Sequence, residues 1–74
     1  MRRVGTVVRT AGGVAVARSP DEGHPDVGET VVDEALATVG RVVDVMGPVS
    51  RPYLVISPTE SNPAELLNER LYVR

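Results

Sequence analysis

The chain has 74 residues, 42% hydrophobic and 3% aromatic, and its charge comes from eight Arg, no Lys and ten acids, net -2. That length allows one domain, residues 1–74, and leaves little material for a deep enzyme pocket beside a core. Without Cys there is no disulfide framework or thiolate metal site, and the mild acidity with only two Tyr as aromatics argues against a dedicated nucleic-acid surface, which needs basic excess and stacking rings.

Valine dominates, and β-branched residues favour strands. "RVGTVVRT" (3–10) reads as a strand, Gly12-Gly13 as a tight turn, and "VAVAR" (14–18) as the returning strand of a hairpin. "SPDEGHPDVG" (19–28) holds two Pro, two Gly and three acids without periodicity, and is a loop. "ETVVD" (29–33) is a short strand and "ATVGRVVDV" (37–45) a longer one whose faces are both mixed. Gly40 inside that run predicts a bulge or sharp bend, a device that lets a sheet curl closed. "PYLVIS" (52–57) pairs back across a Gly-Pro turn. In "PTESNPAELLNE" (58–69), Asn62 is placed as a cap, Pro63 at the first helical position and Glu65 three after the cap, which predicts one or two helical turns. "RLYVR" (70–74) is the last strand. Six short strands with turns every 8–12 residues predict an all-β fold, a small closed antiparallel barrel with a short helical turn before its last strand. Closure also hides the strand edges of a valine-rich chain.

Little chemistry is on offer. His24 stands near Asp21, Glu22 and Asp26, but the spacing matches no metal motif, and a solvated acidic loop is the expected reading. Asp33 and Glu34 are adjacent, so on a strand they point to opposite faces and cannot work as a catalytic pair; a polar turn is expected. Neither "AGG" nor "VMGP" continues as a phosphate loop with Lys and Ser/Thr. No catalytic residue, cofactor or metal is expected. No apolar run approaches the roughly 20 residues of a membrane helix, and no h-region follows Arg2 and Arg3, so the expected setting is cytoplasmic, without membrane contact.

The anomaly is "VVDVMGPVSRPYLVI" (42–56). Hairpin tips are usually polar, yet this one carries Met46, Pro48, Val49, Pro52 and Tyr53, flanked by Arg41 and Arg51. Two readings stand. The apolar residues fold back as a lid on the barrel, or they form an exposed patch that docks a partner. Pro48 and Pro52 favour the second, because they stiffen the tip and remove backbone donors.

At these residues the chain resembles the core domain of the Gar/Naf family of H/ACA ribonucleoproteins. The similarity runs through "VGTVV" at the start, "VVD" at 31–33, "VGRVVDVMGPVSRPYLVI" at 39–56 and "SNPAELLNERLYV" at 61–73. Its specific part is Gly40, Val42, Asp44, Met46, Gly47, Pro48, Val49, Pro52 and Tyr53. The family usually has Phe where this chain has Met46, a flexible apolar substitute. The resemblance implies a six-stranded barrel and a noncatalytic subunit of the guide-RNA pseudouridylation complex. It implies docking on the dyskerin-type pseudouridine synthase through Met46, Gly47, Pro48, Val49, Pro52 and Tyr53, with guide RNA and substrate rRNA reached through the complex. It further implies that the subunit influences a synthase loop that closes on substrate RNA. Lacking glycine-arginine-rich tails, the sequence looks like the compact archaeal form. Two other classes are a generic nucleic-acid-binding barrel of translation-factor type, disfavoured by charge and scarce aromatics, and a flavin-reductase-type barrel, disfavoured by length and the missing phosphate loop.

Overall fold

The computed structural model describes residues 2–20, 24–59 and 62–73. Six strands run through them: β1 (Arg2–Ala11), β2 (Val14–Arg18), β3 (Thr30–Val32), β4 (Thr38–Met46), β5 (Tyr53–Pro58) and β6 (Arg70–Val73). All neighbours are antiparallel, and the order β1-β2-β5-β4-β3-β6, with β6 returning to β1, closes a barrel. Each strand lies where the sequence predicts it, with ends shifted by a residue or two. Gly12 (φ +57°) and Gly13 (φ +82°) make the β1–β2 turn, where left-handed backbone is required.

Two long strands turn the corners. The first half of β1 pairs with β6 and the second half with β2, and residues are left unmatched between Arg3 and Gly5 and between Val7 and Arg9. β4 behaves likewise. Against β3, Val31 faces Gly40 and Val32 faces Thr38, which leaves out Val39; against β5, Val42 faces Ile56 and Asp44 faces Val55, which leaves out Val43. An extra residue reverses the inside–outside phase of everything after it. Gly40 and Val42 are therefore buried, and after the bulge the core is met by Val45 rather than Asp44. That is why neither face of this run looks apolar in the sequence. The bulge predicted at Gly40 falls on its neighbour Val39. Gly40 itself answers to a close approach, since a Cβ there would collide with the carbonyl oxygen of Ser57 on β5.

The core is built from Val4, Val7, Val31, Val42, Leu71 and Val73 together with a graded pair of strands. Ala15 and Ala17 of β2 point inward directly opposite Ile56 and Leu54 of β5. Small residues against large ones let a narrow barrel fill without clashes. Leu66, 6% exposed, joins this cluster from a single 3-10 turn, Pro63–Leu66. Asn62 caps that turn as predicted: its Oδ1 accepts the Ala64 N–H at 3.0 Å, and its carbonyl accepts the Glu65 N–H at 2.9 Å. The chain after the turn is stitched to β1, with Asn68 N–H donating to the Val7 carbonyl at 2.9 Å and Val7 N–H donating to the Glu69 carbonyl at 3.0 Å.

Asp33 and Glu34 form the polar turn that was expected. Asp33 Oδ1 accepts the N–H groups of Ala35 (2.9 Å) and Ala37 (3.0 Å), which folds the β3–β4 connection back on itself. Leu36 takes φ +66° there, a left-handed conformation that is costly for a residue with a Cβ.

Candidate functional site: the apolar hairpin tip

Met46 and Tyr53 are the last facing pair of β4 and β5, so the hairpin loop is 47–52. A bond from Arg51 N–H to the Pro48 carbonyl (3.2 Å) folds a β-turn inside that loop. Gly47 takes φ +88°, and a Cβ there would stand 2.8 Å from Cδ2 of Tyr53. Glycine is thus needed twice, for the backbone and to let the Tyr53 ring lie against it.

The six residues the sequence singles out do not share one environment. Val49 projects at 85% exposure, Met46 is 48% exposed, and Gly47 and Pro48 are exposed with them. Tyr53 is half-buried at the start of β5, and Pro52 is buried, its carbonyl accepting the Ser19 N–H at 2.9 Å to extend the β2–β5 ladder. The lid reading therefore fails at Val49, which projects into solvent, and Met46 leaves about half of its surface open. Pro52 is the correction on the other side, because it is buried and braces the tip from within instead of projecting with the others.

Two residues come to the site that the sequence did not place there. The first is His24. The incoming chain lies along β4, with Gly28 N–H donating to the Val42 carbonyl (2.7 Å) and Val42 N–H donating to the Glu29 carbonyl (3.0 Å). Pro25 is fully buried, and His24 is thereby carried to the rim of a shallow hollow of about 150 Å³ that also involves Val45, Met46, Pro48, Val49 and Pro52. Its Nδ1 lies 2.9 Å from the Pro25 carbonyl oxygen, which can only accept, so Nδ1 carries the proton. The second is Arg18, whose guanidinium carbon sits 5.2 Å from the Tyr53 ring centroid. No local sequence signal marks either residue, since one arrives through a long loop and the other through β2–β5 register.

The acidic neighbourhood suspected around His24 falls partly on Asp21 and Glu22, which lie outside the described residues. Among the described residues no His/Asp/Glu group is assembled to hold a metal. Arg2 and Glu29 form the one ion pair there, at 3.2 Å. Both are solvated, so the pair contributes little. No described helix is long and apolar enough to cross a membrane. Two further shallow hollows, of about 380 and 310 Å³, lie over β3 and β4 and meet at Thr30 and Thr38. They gather hydroxyls, Glu29 and Arg41, but no nucleophile–base pair. The geometry that stands out is a projecting apolar tip braced by two prolines and the Tyr53 ring on a closed barrel. No family model and no curated protein matches this chain.

Proposed function

We propose that this protein is a Gar-type, noncatalytic subunit of an H/ACA guide-RNA pseudouridylation complex, acting in the cytoplasm. In this reading it docks on the dyskerin-type pseudouridine synthase through its β4–β5 tip. The observation that carries the proposal is the exposure of Val49 and Met46 on a tip whose backbone is restrained by Pro48, Pro52 and the turn bond from Arg51 to Pro48. Exposed apolar surface held in one conformation binds at low entropic cost. The motif Gly47-Pro48-Val49 with Pro52-Tyr53 supports the same reading through its resemblance to the family.

The barrel supplies no chemistry of its own in this scheme. It biases a synthase loop between substrate-closed and open states. A bound subunit shifts such an equilibrium only by its differential affinity for the two states, typically about 1–3 kcal/mol or roughly five- to 150-fold. When a loop must open for product to leave, release is often the slow step. Adding the protein to synthase and guide RNA should then raise multiple-turnover pseudouridylation more than single-turnover pseudouridylation. Equal stimulation of both regimes would remove the loop-biasing account, and absence of a complex in a pull-down with the synthase would remove the assignment.

A further inference from the structure

Facing residues on neighbouring strands project to the same side of a sheet. Ala17, Leu54 and Val45 turn toward the core, so their chain neighbours Arg18, Tyr53 and Met46 face outward. Arg18 faces Tyr53, and Tyr53 faces Met46. The three form one row across β2, β5 and β4 that ends at the exposed tip. Within it the Arg18 guanidinium lies over the Tyr53 ring, while its Nε is closed off from water and hydrogen-bonded to nothing. Among the described residues no carboxylate forms an ion pair with Arg18. Asp44, on the adjacent outward row, spends Oδ1 on the Val45 N–H at 2.8 Å. The Arg18 backbone is also held tightly: β1 crosses it at Gly5, where a Cβ would collide with the Arg18 carbonyl oxygen.

We propose that Arg18 is the receptor for a carboxylate of the docked protein partner, so that the surface takes an acidic side chain beside an aliphatic one. This rests on the docking function proposed above and adds the chemistry of the partner segment. A guanidinium fork presents several donors to a carboxylate in a plane. The stacked ring holds that fork in place, and among the described residues no carboxylate pairs with it. Met46 and Val49 cover the aliphatic part of the same segment. A nucleic-acid phosphate is the less fitting anion, because the chain carries net charge -2 and the row continues into the apolar side chains of Met46 and Val49.

The experiment titrates the synthase with wild-type protein, Arg18→Gln and Arg18→Lys at two salt concentrations, with thermal unfolding of each variant. Losing one member of a desolvated charge pair should weaken binding about 30-fold or more for Arg18→Gln. The affinity of that variant should depend less on salt than that of the wild type. Arg18→Lys, which keeps charge without the fork, should keep the salt dependence and recover part of the affinity. A purely packing role for Arg18 predicts loss of affinity with the salt dependence unchanged, and that result would overturn the proposal. So would an Arg18→Gln variant that binds as wild type, which leaves the docking function standing. If wild-type protein does not bind the synthase, the docking function fails and this proposal falls with it. A parallel titration with single-stranded RNA decides the anion: weakening there, with synthase binding intact, assigns Arg18 to phosphate and overturns the carboxylate.

Discussion

Replacing Val49 with Asp separates docking from folding most cleanly. Val49 is 85% exposed, so folding covers only about one-seventh of it. Full burial of a Val is worth about 1.5–3 kcal/mol, and one-seventh of that is about 0.2–0.4 kcal/mol. For a domain of this size about 1 kcal/mol moves Tm by roughly 4–8 °C, so Val49→Asp should lower Tm by no more than about 3 °C. The same substitution at Val42, fully buried on the same hairpin, strands an unpaired carboxylate in the core and should abolish cooperative folding. Binding is expected to respond far more than stability. A hot-spot residue contributes about 2 kcal/mol or more, so affinity for the synthase should fall about 30-fold with the barrel intact. Circular dichroism melts paired with an equilibrium titration measure both quantities on one sample. A Tm drop above about 10 °C would mean that Val49 packs in the core and that the tip is a lid. A normal Tm with undiminished affinity would place the docking surface elsewhere.

Two close approaches between strands give stability predictions. Gly5→Ala and Gly40→Ala each drive a methyl group into a neighbouring strand's carbonyl, of Arg18 and Ser57 respectively, and should each cost about 1–3 kcal/mol or more in urea melts; unchanged midpoints would show that the strands separate freely there. With its net charge of -2, the isolated protein should bind RNA no better than nonspecifically. A filter-binding titration in moderate salt that gave tight, sequence-selective binding would move the protein to the nucleic-acid-binding class.

Much of the architecture was legible from local signals. Runs of β-branched residues bounded by Gly, Pro and Asp mark the first five strands, because strand preference and turn chemistry act over a few residues. The Asn62-Pro63 start of the 3-10 turn and the Gly12-Gly13 turn are equally local, set by a cap and by φ. The odd composition of the 46–53 tip was also visible in the sequence, since apolar residues at a turn stand out against ordinary turn chemistry. Closure into one barrel in the order β1-β2-β5-β4-β3-β6 was expected only as a class, and the pairing itself rests on contacts between distant segments. The unmatched residues in β1 and β4 were not legible in position. A bulge depends on what the partner strand offers opposite it, so Val39 and Val43, rather than Gly40, absorb the extra length. Burial at the tip likewise needed the tertiary fold. Pro52 turns inward because the β2–β5 ladder continues to Ser19, while Val49 turns outward because the inner turn from Pro48 to Arg51 points it away from the barrel. His24 and Arg18 reach the tip only once the loop lies along β4 and β2 pairs with β5. Sequence patterns specify which residues extend and where they turn; register and closure, which are sums over nonlocal contacts, decide which side chains meet.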